Sequence, residues 1–166
     1  MKATDAVRHA LEMGDKLANT FLEDMRDEPL TQPTARGGNH PLWVVGHLAY
    51  SEGQLYQLLS GERNPVEHWS SLFAGGTEPT ADSSRYPAFD DVLAKYRQLR
   101  GGTLKRLHGM DDAALDRPAP SFGTVGKALI AIAMHQMLHL GQVADARRVV
   151  GRKAFFSGPP EPTMKD

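Results

Sequence analysis

The chain of 166 residues contains no cysteine. Disulfides, thiolate metal ligands and a cysteine nucleophile are therefore excluded. Any metal must be held by His, Asp, Glu or water, and any thiol chemistry must use a thiol brought by a substrate. Long hydrophobic runs are also missing. None reaches the ~18–20 residues needed to span a bilayer, so no membrane partner is expected. The first nine residues hold no hydrophobic signal core, and a cytoplasmic location is expected from that. There is no excess of one charge either. The net charge is −1, and without a basic stripe nucleic acid is not an expected partner. Finally, no alternating β pattern and no internal repeat can be found.

What is present is helical periodicity in a composition ordinary for a globular chain, 40% hydrophobic and 23% charged. The length fits one domain, expected over 1–166. Val7, Leu11, Gly14, Ala18, Phe21, Leu22 and Met25 recur at three- and four-residue spacing and predict a helix over about 5–25, ended by Glu28-Pro29. A second is expected over 41–60. Asn39 or His40 falls in its cap region, Pro41 suits its first turn, and Gly61 suits the residue after its end. A polar connection rich in Gly, Pro, Ser and Thr follows over 61–87, long for a loop, with Trp69, Leu72 and Phe73 placed to pin it to the body. Phe89, Val92, Leu93, Tyr96, Leu99 and Leu107 mark a third helix over 88–107, weakened near its end by Gly101-Gly102 at about 1 kcal/mol per Gly relative to Ala. A short turn is expected at 111–115. The fourth helix is expected over 124–150, capped by Thr124 and stopped by Gly151, with Arg147 and Arg148 complementing its dipole. The tail, 152–166, reads as extended. The expected fold class is all-α, a four-helix bundle.

Inside the fourth helical segment, His135 and His139 stand four residues apart among Ala, Ile, Met and Leu. Residues at i and i+4 share a helix face, so two imidazoles there can converge on one ion. The alternative is a pair of core histidines satisfied by backbone or side-chain oxygens. His47 lies in the other strongly apolar helix, beside Gly46, which would let a neighbour approach closely. Three neutral imidazoles with an open fourth position are typical of a site that keeps water or substrate. Zn²⁺ is the default, with Ni²⁺, Fe²⁺ and Mn²⁺ also accepted by imidazole. His40, two turns before His47, reads as a cap or surface residue that shares that face. Gln142, on the stripe of His135 and His139, is either a donor orienting a ligand or a packing amide. Tyr50 and Glu52 follow His47 and come into consideration for reaching a substrate. No catalytic residue can be assigned. The run His135-Gln136-Met137-Leu138-His139 approaches the zinc-protease pattern H-E-x-x-H, but Gln136 cannot serve as its general base.

Asn39-His-Pro-Leu-Trp-Val-Val-Gly-His-Leu-Ala49, followed by His135-Gln-Met-Leu-His-Leu-Gly-Gln142, resembles the DinB-like superfamily, which includes the YfiT-type proteins. The resemblance covers most of the chain. It implies a four-helix bundle of up-down-down-up course, one divalent ion (Zn or Ni foremost) held by His47, His135 and His139, and a homodimer. Many members carry Glu where this chain has Gln136. Some relatives are transferases or isomerases that use a low-molecular-weight thiol, and others are classed as metal-dependent hydrolases. Three functions follow. The first is thiol transfer to a small electrophilic substrate, helped by a metal that stabilises the thiolate. The second is metal-dependent hydrolysis, which lacks an evident proton acceptor unless Glu52 or a carboxylate of 61–87 serves. The third is a non-enzymatic bundle that binds metal or a small molecule.

Overall fold

A computed structural model describes residues 1–33 and 38–155. Four long helices make the body: α1 (Ala3–Asp24), α2 (Pro41–Ser60), α4 (Phe89–His108) and α6 (Val125–Val149). Two single-turn helices, α3 (Ser70–Phe73) and α5 (Asp112–Leu115), lie in the connections. One departure from the all-helical expectation is a small antiparallel hairpin before α6, β1 (Pro118–Ala119) with β2 (Gly123–Thr124), in register Pro118↔Thr124 and Ala119↔Gly123. Two-residue strands are too short to show an alternating pattern. No helix among the described residues is long and apolar enough to cross a membrane.

The helix boundaries follow local chemistry. His40 caps α2 by accepting the Trp43 N–H on Nδ1 at 3.0 Å, and Pro41 occupies the first turn. Gly61 closes α2 in the left-handed conformation, φ 77°. Asp111 caps α5, and the Thr124 hydroxyl caps α6 through the Lys127 N–H. The Arg147 guanidinium reaches Asp24 on α1 at 2.8 Å and also the Lys153 carbonyl, beyond the dipole role its position suggests. Residues 156–166 of the expected extended tail lie outside the described residues.

Cross-helix contacts fix the course of the chain. Gly14 of α1 meets Gln136 of α6, and Asp24 meets Arg147, so α1 and α6 run parallel. Arg8 meets His108 at 3.0 Å while Glu23 and Asn19 meet Arg97, so α4 runs against α1. Asn39 meets Gln142 while His47 meets His135, so α2 runs against α6. The bundle is therefore up-down-down-up. Because α2 and α4 are parallel, the chain must return along the whole bundle between them, which is the physical reason for the long connection. That connection folds onto the body through buried Trp69 and Phe73.

The interior has two apolar regions. One holds Phe21, Leu22, Trp43, Leu48, Phe73, Tyr96 and Leu140; the other holds Val7, Leu11, Leu55, Leu115, Ala128 and Leu129. A buried polar layer lies between them. Arg100 Nη2 sits 2.8 Å from both Glu52 Oε1 and Gln136 Oε1. Thr103 Oγ1 donates to Glu52 Oε2 at 3.0 Å, and Gln136 Nε2 donates to the Tyr96 hydroxyl at 2.6 Å. Gly14 makes room for this layer, since a Cβ there would come within 2.6 Å of Gln136 Oε1. Burial pushes the Glu52 carboxyl up from its usual range, while Arg100 and Thr103 pull it down.

Candidate metal centre

The packing of α2 against α6 brings three imidazoles together between these two helices. His135 Nε2 lies 3.0 Å from His47 Nε2 and 3.0 Å from His139 Nε2. One ring nitrogen from each falls within 4.8 Å of the others, close enough to share a cation. His47 and His139 are buried and His135 is half-buried, so the cluster opens on one side.

The outer ring nitrogens settle the protonation of the inner ones. His47 Nδ1 lies 2.6 Å from the Phe73 carbonyl, which can only accept, so Nδ1 carries the proton and Nε2 is a bare lone pair. His139 Nδ1 donates to Gln142 Oε1 at 2.8 Å, an oxygen that also takes the Asn39 amide at 3.2 Å. Its Nε2 is likewise bare. His135 Nε2 can bring one proton, which satisfies only one of its two neighbours. The neutral cluster therefore always leaves at least one buried lone pair without a donor. Protonation does not relieve this. Burial lowers all three imidazole pKa values, and neighbouring imidazoles lower His47 and His135 further, His135 to about 4. A cation at the point of convergence satisfies all three nitrogens, so the donor set fits a divalent ion.

Supporting residues hold this arrangement. Trp43 stacks on His47 with ring centroids 4.5 Å apart and planes 11° from parallel. Its Nε1–H donates to Thr77 Oγ1 at 3.0 Å, which ties the stack to the connection. Gly46 is needed because the Phe73 ring fills the space of a side chain; a Cβ there would meet that ring at 2.2 Å. The neighbour that Gly46 admits is thus the connection itself. Gly46→Ala is expected to displace Phe73 and its carbonyl together. The cost should be about 1–3 kcal/mol of stability and a loss of about 10–100-fold in metal affinity. Thermal melts and chelator competition would show both, and a variant with wild-type affinity would remove Phe73 from the centre.

The other residues singled out by sequence are placed elsewhere or in support. Gln142 sits behind His139, as described. His40 is almost fully buried, donating from Nε2 to the Thr80 carbonyl at 3.0 Å, and stands at the start of α2 rather than at the cluster. Tyr50 is buried beside Glu67, which together with burial raises its phenol pKa. Glu52 is 1% exposed and bound into the polar layer, so it reaches no substrate and cannot be the proton acceptor considered for hydrolysis. Gln136 belongs to the same layer and faces away from the ligand stripe. Trp43, the Phe73 carbonyl and Asn39 were not found from sequence. Only Trp43 leaves a signal, four residues before His47 on the same face.

Because the folded pKa of His135 is about 4 against an ordinary 6.5, the unfolded chain takes up more protons between these values. The metal-free protein should keep its stability above pH ~6.5 and lose it as pH falls toward ~4. Added divalent metal should shift that loss to lower pH. Thermal melts from pH 7.5 to 4.5, with and without metal, would check this, and a flat metal-free profile would contradict it.

A helical bundle with this cluster narrows the comparison with known proteins. Residues 10–143 match the model of the DinB superfamily. This chain belongs to the DinB superfamily. Solved structures agree with the fold. Among them is YfiT from Bacillus subtilis, described as a probable metal-dependent hydrolase with an unusual four-helix bundle topology. It is 22% identical to this DinB-superfamily chain, with a TM-score of 0.64 over 90% of this chain and 89% of its own. No curated protein matches.

Proposed function

We propose that this DinB-superfamily protein binds one divalent metal ion through His47, His135 and His139 and uses it to activate a nucleophile for reaction with a small electrophilic molecule. The observation that carries the reading is the convergence of three Nε2 lone pairs that cannot satisfy one another. When bound, the ion supplies Lewis acidity: with only neutral ligands it keeps its full charge and favours the deprotonated form of whatever shares the site. The side chains do the rest. Phe73 and Gln142 hold the imidazole tautomers, Trp43 fixes the His47 ring, and the half-buried His135 leaves the open side toward solvent.

A low-molecular-weight thiol is the preferred nucleophile, for a chemical reason. No carboxylate joins the three histidines among the described residues, and Glu52 is committed to Arg100. A thiol, with a pKa near ~8.5, needs far less help to ionise than water at ~15.7. A reduced, cytoplasmic setting that maintains such thiols fits a chain without cysteine. Zn²⁺ and Ni²⁺ are the ions to test first. The test is consumption of a model electrophile with bacillithiol, mycothiol or glutathione by metal-loaded protein. A rate equal to the metal-free control with every thiol would remove the transferase reading. Hydrolysis is the second reading, favoured by the description of YfiT, and ester and amide panels distinguish it.

A homodimer is proposed from the surface of α6. Ile130, Met134, Met137 and Leu138 are 50%, 68%, 48% and 67% exposed along one side of the helix, an apolar stripe that a second copy would cover by two-fold pairing. Analytical ultracentrifugation should give a dimer that Met134→Glu with Leu138→Glu dissociates. A wild-type monomer at micromolar concentration would end this proposal.

A further inference from the structure

Helices α2 and α6, which carry the three histidines, also line a cavity of about 450 Å³ beside the hairpin, with Leu55, Leu58, Ala128, Ile132, Pro120 and Phe122 around it. That volume lies within the range of small-molecule sites, roughly 300–1,000 Å³. Ile132 and Ala128 are one and two turns from His135 along α6, ~4.5 and ~10.5 Å of helix rise. Leu55 and Leu58 follow His47 along α2 at spacings of eight and eleven residues, again close to the same helix face. The cavity and the centre therefore lie along the same two helices, about one to two turns apart on α6.

Two features mark the cavity as a ligand site rather than a packing fault. The polar side chains at its edge, Gln54 and Gln57, are exposed neutral amides, and no charged side chain lines it. It thus suits an uncharged, mainly hydrocarbon group. The second feature is the backbone of the hairpin. Ser121, between Pro120 and Phe122, has φ 65°, the left-handed conformation that a residue with a side chain rarely adopts. The Phe122 N–H closes the turn on the Ala119 carbonyl at 3.2 Å. A positive φ at that position is normally assigned to Gly. Here the turn keeps it, and the two residues flanking Ser121 both face the cavity. Such strain is retained where surrounding structure and a site require it.

We infer that this cavity receives the apolar chain or ring of the same small molecule whose reactive head meets the histidine centre. The substrate class is thereby narrowed to amphipathic electrophiles with a tail of roughly eight carbons, the length that spans two helical turns. The inference rests on the proposed metal reading for the head and on the cavity alone for the tail.

Acetohydroxamate and octanohydroxamate separate the two parts. They share a metal-chelating head and differ by six methylenes. Each would be titrated into metal-loaded and metal-free protein, followed through the methyl resonances of Leu55, Leu58 and Ile132. In the metal-loaded protein the octyl compound should bind about 100-fold more tightly, a conservative fraction of the gain from burying six methylenes. It should move those resonances in both forms. Ala128→Trp, which fills the cavity, and Leu58→Arg, which places a charge at its partly exposed mouth, should each remove the preference. Using both guards against one variant failing to fold. Equal affinity of the two compounds for metal-loaded protein would overturn the inference and leave the metal centre standing. Failure of the protein to load metal, with the octyl compound alone still shifting the three methyl groups, would uphold the apolar site and defeat the metal reading. No shift from the octyl compound in either form would overturn the inference.

Discussion

Arg100→Met should lower the melting temperature of the metal-free protein by roughly 10 °C. Arg100 and Glu52 are each 1% exposed and lie 2.8 Å apart in the layer between the two apolar regions. Removing one member of such a pair leaves the other buried without compensation, at about 3–5 kcal/mol. For a chain of this size each kcal/mol corresponds to ~2–4 °C. The pH dependence identifies the cause. Burial already pushes the Glu52 carboxyl up, and Arg100 is the main group that opposes it. In the variant, the folded-state pKa, already above the unfolded one through burial, rises further. Its stability should then be best retained at low pH and lost as pH rises through that folded pKa, so the deficit should be larger at pH 8 than at pH 5. Glu52→Leu combined with Arg100→Met should recover most of the loss, since an apolar replacement of the whole pair carries no stranded charge. Scanning calorimetry at the two pH values would measure this. A single variant within about 2 °C of wild type would show that the layer is not a working ion pair.

His135→Ala should abolish tight metal binding and at the same time leave the metal-free fold as stable as wild type or more so. Both effects have one origin. His135 Nε2 stands 3.0 Å from each of two lone pairs, and its burial and neighbours hold its pKa down to about 4. Without metal that is an unfavourable crowding of acceptors; with metal it is the third ligand. Gln142→Leu, which removes only the oxygen behind His139, should cost about 10–100-fold in affinity. Loss of His135 itself should exceed that. Chelator competition for affinity, with melts of the metal-free proteins, gives the two readouts. An unchanged affinity would mean that metal binds elsewhere, and a large loss of metal-free stability would mean that His135 is a packing residue.

The parts of this protein legible in its sequence are those with local causes. The periodic stripe of α1, the Pro41 start and Gly61 stop of α2, and the Thr124 cap of α6 each follow from a few neighbouring residues. His135 and His139 share a face by spacing alone. Joining His47 to them required the order of two motifs, because nothing local says that α2 packs against α6. The connection between Ser60 and Phe89 was legible as long, polar and pinned by Trp69, Leu72 and Phe73, of which Trp69 and Phe73 are buried. Its main contribution is the Phe73 carbonyl, a backbone atom with no sequence signature, brought to His47 by the gap at Gly46. The polar layer was hidden for a different reason. Glu52, Tyr96, Arg100 and Gln136 come from three helices, and each alone resembles a surface or packing residue. Glu52 accordingly came into consideration as a group near substrate, although its partner lies in α4. The hairpin over 118–124 escaped because two-residue strands carry no alternation.

The most direct test of the metal centre is the metal content and coordination of the untagged wild-type protein. Elemental mass spectrometry should find about one divalent ion per chain. X-ray absorption at that ion's edge should show three imidazole nitrogens and a further light-atom ligand. A protein that remains metal-free after incubation with Zn²⁺ or Ni²⁺, or an ion with no imidazole in its shell, would contradict the account and leave three packed histidines in a helical bundle.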